Sequence, residues 1–187
     1  MINLKSKIYI AGHNGLVGSA ILRKLKEKGY QKIIYANKNK LDLTNQSSVY
    51  KYLKRNKPDF IFICAAKVGG VFFNKKFKAD FITENILIQT NLINGAFING
   101  IKNLIFLGSS CVYPKNCTQP IKEEYLMSGK LEETNDSYAI AKIAGIKMIE
   151  AFNRQFNTNY ICLMPCNLFG PNDNYDSQSS HFLPALI

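Results

Sequence analysis

The sequence predicts an α/β protein, a doubly wound parallel sheet with helices on both faces. Two observations predict it. Short apolar runs alternate with segments of helical periodicity along the chain, the pattern of parallel βαβ units joined by right-handed crossovers. Between the first run and the first helix stands Gly12-His13-Asn14-Gly15-Leu16-Val17-Gly18, three glycines spaced as in a strand–turn–helix phosphate loop.

Taken in order, Lys7 to Ala11 reads as a buried strand ending at Gly12. Gly15 to Lys28 reads as a helix, with Val17, Ile21, Leu22 and Leu25 on one face and Gly29 as its terminator. Lys32 to Ala36 is a second strand. Gln46 to Asn56 is a second helix, opened by Thr44 or Asn45 and closed ahead of Pro58. Asp59 to Ala65 supplies a third strand, residues 79–99 a long helix, and Asn103 to Leu107 a fourth strand. Ser137 to Gln155 is a further helix and Tyr160 to Met164 a fifth strand. Neither an internal repeat nor a low-complexity linker interrupts them. Residues 171–180 form a polar loop, and His181 to Ile187 opens an apolar helix. The expected division is a dinucleotide-binding domain over 1–170 and, over 171–187, the start of a substrate-binding region that is largely absent.

Composition narrows the function classes. With 187 residues, 47% hydrophobic and 20% charged, the chain suits one globular domain. No apolar run reaches the roughly 20 residues of a membrane span, and the N-terminus lacks the pattern of a signal peptide. The expected location is the cytoplasm. The net charge is +11, yet Lys supplies 21 of the 24 basic residues and the lysines are scattered. Nucleic-acid readers lean on Arg for bidentate contacts, so no nucleic-acid partner is expected. A basic surface that attracts a phosphorylated ligand stays open. Five cysteines (Cys64, Cys111, Cys117, Cys162 and Cys166) contain no C-x-x-C pair, and only His13 and His181 could join them. Reduced thiols and no metal site are expected.

Glycines in the turn permit positive φ and close approach of a pyrophosphate to the backbone, and the following helix offers free N–H groups. NAD binders end the second strand with Asp or Glu for the ribose hydroxyls. Here Tyr35-Ala36-Asn37-Lys38-Asn39-Lys40 contains no acid and two lysines, which favours the 2′-phosphate of NADP; the bland alternative is two solvated lysines. Leu41, Asp42 and Leu43 follow, with Asp42 where an adenine-contacting Asp is expected.

Tyr138-Ala139-Ile140-Ala141-Lys142 puts a phenol and an ammonium on one helix face. A nearby ammonium is expected to lower the phenol's pKa and ready it for proton transfer to a carbonyl oxygen. Leu107, Gly108, Ser109 and Ser110 end the fourth strand and set hydroxyls at the carboxyl edge of the sheet, where such folds bind ligands. Ser109 is thus a candidate to hydrogen-bond the same oxygen; as an alternative it is a turn or cap serine.

The longer motifs carry a specific resemblance. Ile10 to Ile21, Ala65-Ala66-Lys67-Val68-Gly69-Gly70, Leu107 to Lys115, Tyr138 to Lys147, and Met164 to Asn174 followed by Ser180-His181 resemble the GDP-L-fucose synthases, extended short-chain dehydrogenases/reductases of Rossmann type. The resemblance implies 3,5-epimerisation and NADPH-dependent 4-reduction of GDP-4-keto-6-deoxy-D-mannose. By carry-over, Cys111 is the base and His181 the acid of the epimerisation. Ser109, Tyr138 and Lys142 serve the carbonyl, and Pro165, Cys166, Asn167 and Leu168, with His181, line the nicotinamide site. It also implies a homodimer built through the helices near 79–99 and 137–155. Asn14 and Lys38 stand where the family commonly has Arg. Competing readings are another NAD(P)-dependent nucleotide-sugar epimerase or dehydratase, and a non-catalytic cofactor-binding chain.

Overall fold

Five parallel strands form one sheet in the computed structural model, which describes residues 2–176. They are β1 (Ile8–Ala11), β2 (Ile33–Ile34), β3 (Phe60–Ile63), β4 (Asn103–Leu107) and β5 (Asn159–Leu163), in the spatial order β2-β1-β3-β4-β5. The helices among the described residues are α1 (Leu16–Glu27), α2 (Gln46–Asn56), α3 (Val71–Lys76), α4 (Lys78–Ile98) and α5 (Asp136–Phe156).

Strand order decides the layers. From β1 the chain steps outward to β2, and every later connection runs the opposite way. Right-handed crossovers then send α1 to one face of the sheet and α2, α4 and α5 to the other. The main core lies under those three helices. Tyr9, Ile61, Leu104 and Tyr160 stand in register across four strands and pack with Val49, Leu53, Leu92, Ile93, Ile146 and Ile149. On the α1 face, Ile8 and Ile10 are fully buried, but cover thins across the sheet until Ile161 and Leu163 on β5 are 42% and 48% exposed.

Local chemistry explains the helix ends. The Asn45 side chain accepts from Ser48 N at 2.9 Å and caps α2. The β2 segment is shorter than the expected Lys32–Ala36 because, at the sheet edge, it pairs with β1 alone. Three elements have no counterpart in the sequence reading: α3 and two 3₁₀ turns, Ser110–Val112 and Glu123–Tyr125. Each is too short for periodicity to register. Residues 171–176 form a turn and loop; the apolar helix expected from His181 lies outside the described residues.

Candidate active site

The winding order of the strands reverses between β1 and β3, and the glycine turn leaves β1 at that point, where doubly wound sheets open a ligand crevice. Gly12 has φ +86°, and a Cβ there would stand 2.6 Å from Ala65 N. At Gly18 a Cβ would stand 2.0 Å from Gly12 O. Only glycine fits either position, so the start of α1 presses against the turn and leaves bare backbone facing the crevice. No acidic residue stands in the first turn of α1. This cradle of backbone and free N–H groups fits a dinucleotide pyrophosphate.

Side chains tie the turn to the end of β2. The His13 ring stacks on Tyr35 at 4.3 Å, and Asn14 Nδ2 donates to Asn37 Oδ1 at 3.0 Å. Burial lowers the His13 pKa, against the Asn37 side-chain oxygen, which favours the protonated ring and raises it. Lys38, Asn39 and Lys40 are exposed. Leu41 is buried in the core, so its side chain turns away from the edge. Asp42 accepts from Thr44 N at 2.9 Å and Thr44 Oγ1 at 2.7 Å, which hold its carboxyl below the usual range. Leu43 packs against the core.

At the end of β4, Ser109 opens the first 3₁₀ turn, its oxygen accepting from Cys111 N at 3.5 Å. The serine is thus a cap, yet its hydroxyl hydrogen stays available to a ligand oxygen. The first turns of α5 bring Tyr138 and Lys142 to the same place. Lys142 is 4% exposed. Its Nζ donates to Leu107 O at 2.7 Å, 4.7 Å from the Phe106 ring centroid and 5.6 Å from that of Tyr138. Burial pulls its pKa down to about 8, against the thiols of Cys111, Cys162 and Cys64.

The expected lowering of the Tyr138 pKa is not what the structure gives. Burial dominates and, with Cys111 beside it, pushes the phenol above its ordinary value. The Lys142 ammonium is turned to a backbone carbonyl instead. Burial also pushes the Cys111 thiol up, opposed by Ser109 and Lys142. Ser109, Cys111, Tyr138 and Lys142 therefore share one partly buried pocket at the carboxyl edge. It holds a neutral phenol, a neutral thiol and a poorly solvated lysine.

The chain leaving β5 crosses the same edge. Gly108 N donates to Leu163 O at 2.7 Å and Ser110 N to Pro165 O at 3.3 Å, which pins Pro165 beside the β4 turn. Cys166, Asn167 and Leu168 follow, exposed. Farther on, Asn172 Nδ2 donates to Ser19 Oγ at 3.1 Å, so the segment reaches α1. The glycine turn, the β4 turn and residues 165–172 thus border one crevice. His181 lies outside the described residues.

Sequence reading missed three supports. Asn37 and Tyr35 hold the glycine turn, which no local pattern announces. Asn85 on α4 both accepts from Lys67 N at 2.9 Å and donates to Lys67 O at 3.0 Å, which clamps the loop after β3. Gln89, 2% exposed, donates to Ala141 O at 2.6 Å and joins α4 to α5. A polar residue at an inward position of a helix was the available signal for the last two.

Comparison with known proteins agrees with this geometry. A model of the NAD dependent epimerase/dehydratase family matches residues 8–187. The chain is 51% identical over 181 residues to a GDP-L-fucose synthase of Sinorhizobium fredii, covering 97% of this chain and 57% of that protein. A GDP-D-glycero-L-gluco-heptose synthase from Campylobacter jejuni, crystallised in the presence of NADPH, superposes with a TM-score of 0.95 at 43% identity, covering 100% of this chain and 54% of that one. A GDP-mannoheptose C4 reductase from the same organism, with NADP bound, gives 0.94 at 43% identity, covering 100% and 55%. The chain spans a little over half the length of these relatives.

Proposed function

The chain belongs to the NAD dependent epimerase/dehydratase family, and from that premise we propose that it carries the cofactor site and the catalytic core for NADPH-dependent 3,5-epimerisation and 4-reduction of GDP-4-keto-6-deoxy-D-mannose. The single observation that supports this most is the meeting of Ser109, Cys111, Tyr138 and Lys142 at the sheet edge beside the glycine cradle. The two Campylobacter relatives with NADPH or NADP support the choice of dinucleotide. Reduced thiols and NADPH suit a cytoplasmic enzyme.

The glycine cradle, Gly12 to Gly18, would hold the pyrophosphate of NADPH, which when bound would supply the hydride for C4. The Ser109 hydroxyl and the Tyr138 phenol donate to the C4 oxygen of the sugar, which stabilises the enolate when the C3 or C5 proton leaves. Cys111 removes that proton on one face; burial pushes its thiol up, and Ser109 and the Lys142 ammonium oppose that rise. His181 returns a proton on the other. In the reduction, Tyr138 gives its phenolic proton to the C4 oxygen, and Lys142 stabilises the phenolate left behind. A phenol kept neutral by burial is suited to that donor role.

The test follows C3 and C5 hydrogens of the keto-sugar in deuterated buffer by NMR, with NADPH oxidation read separately. The native chain is expected to exchange both positions and oxidise NADPH; Cys111→Ser should bind NADPH normally and exchange neither. Normal exchange in the Cys111→Ser chain would sink the assignment. NADPH oxidation without exchange in the native chain favours a second reading, a GDP-sugar C4 reductase like the Campylobacter relative.

The homodimer through α4 and α5 is part of the same proposal. Leu87 on α4 and Ile140 on α5 are 40% and 46% exposed, and large apolar side chains on neighbouring helices suit a partner surface.

A further inference from the structure

The lock around Asn37 bears on which dinucleotide the crevice prefers, an inference that rests on the dinucleotide reading above. NAD binders place an acid about 20 residues beyond the glycine turn, to accept from the ribose hydroxyls. Asn37 occupies that place, directly against the turn: its Oδ1 accepts from Asn14 Nδ2 at 3.0 Å. Asparagine is the neutral isostere of aspartate, so the site keeps the acid's shape without its charge.

The amide's orientation is the second point. Asn14 engages Oδ1 from the glycine turn, and the imidazole of His13, held by its stack on Tyr35, lies beside the Asn37 side chain. With the oxygen turned to the protein, Nδ2 turns away from it. Among the described residues it has no acceptor, and Asn37 is exposed. An aspartate here would offer solvent a charged acceptor; the locked asparagine offers a donor. A donor suits phosphate oxygens, whereas an anionic acceptor suits hydroxyls and repels phosphate. Lys38 is adjacent and exposed; its ammonium also acts on the Asp42 carboxylate, but among the described residues it closes no ion pair, which leaves it able to reach the same anion.

We infer that Asn37 is the specificity-determining residue of this crevice: its carboxamide, oriented by Asn14, donates to the 2′-phosphate and selects NADPH over NADH.

The experiment is a pair of titrations of the chain with NADPH and with NADH. Nicotinamide emission reports binding, free of tryptophan background because the chain has no Trp. Native protein is expected to prefer NADPH by about tenfold or more, the worth of one hydrogen bond to a charged group. Asn37→Asp preserves the acceptor for Asn14 and should weaken NADPH at least as much while leaving NADH unchanged or tighter, so that the preference inverts. Asn37→Ser, which adds no charge but releases Asn14, should lose more NADPH affinity than NADH affinity, so that the preference narrows; it carries the test if the aspartate variant fails to fold. An unchanged preference in a folded Asn37 variant overturns the inference and leaves the dinucleotide site standing. Failure of the native chain to bind either dinucleotide removes the dinucleotide reading itself, and this inference with it.

Discussion

Lys142 and Tyr138 show how burial competes with charge at a single residue. Desolvation disfavours whichever form is ionised, so it lowers the ammonium and raises the phenol at once. The lysine bears a cost for this. Its pKa falls from 10.5 to about 8 on folding, so below pH 8 the folded state holds a buried charge that the unfolded chain solvates freely. The penalty is complete below about pH 8, fades as pH climbs, and is gone above 10.5, where both states are neutral. Its size is roughly 3 kcal/mol. Lys142→Met is therefore expected to be more stable than the native chain at pH 7, with the gap closing between pH 8 and 10.5. Urea unfolding of both proteins across that range measures it; a gap constant with pH would show that the lysine keeps its ordinary pKa on folding.

Among the elements, the seam between α4 and α5 sets where the catalytic helix lies. Gly145 faces the sheet, and a Cβ there would stand 2.7 Å from the Phe106 ring and 2.9 Å from Gln89 Oε1. Phe106 is 1% exposed and Gln89 2%, so neither has room to retreat. Gln89 in turn donates to Ala141 O, one residue before Lys142. The glycine thus allows α5 to sit close enough for Lys142 to reach Leu107 O. Alanine would improve helix propensity by about 1 kcal/mol, but overpacking of a rigid core costs about 1–3 kcal/mol. Gly145→Ala should come out destabilised in urea unfolding and should weaken turnover by displacing Tyr138. A gain in stability would mean that the seam repacks without strain. The opposite seam is similar: Asn91 Nδ2 donates to Leu43 O at 2.9 Å and Thr44 O at 3.0 Å, which fixes the stretch after β2 against α4.

Across the whole molecule, burial is lopsided. Three helices cover one face of the sheet, while the α1 face is well covered only over β1. The outer faces of α4 and α5 expose Leu87 and Ile140. For the proposed homodimer this predicts that the native chain sediments as a dimer. The double variant Leu87→Asp, Ile140→Asp should sediment as a monomer with an unchanged circular dichroism spectrum. Both changes lie on solvent-facing positions, so a dimer that survives them points to a different interface. No helix among the described residues is long and apolar enough to cross a membrane.

Local periodicity was enough to read five strands, four long helices, the glycine turn and the Tyr138–Lys142 spacing, because each depends on neighbours within a few residues. That the sheet is parallel and doubly wound also followed, since alternating strands and helices under right-handed crossovers leave few arrangements; the strand order came from the structure. The Cys111 and His181 assignments came from resemblance, as nothing in their spacing distinguishes a base from a core thiol. Tertiary structure alone decided the rest: that burial outweighs the ammonium at Tyr138, that Leu41 belongs to the core, and that Asn37 meets Asn14 across the glycine turn. Those outcomes depend on desolvation and on contacts between residues far apart in the chain, and neither quantity is defined until the sheet has brought them together.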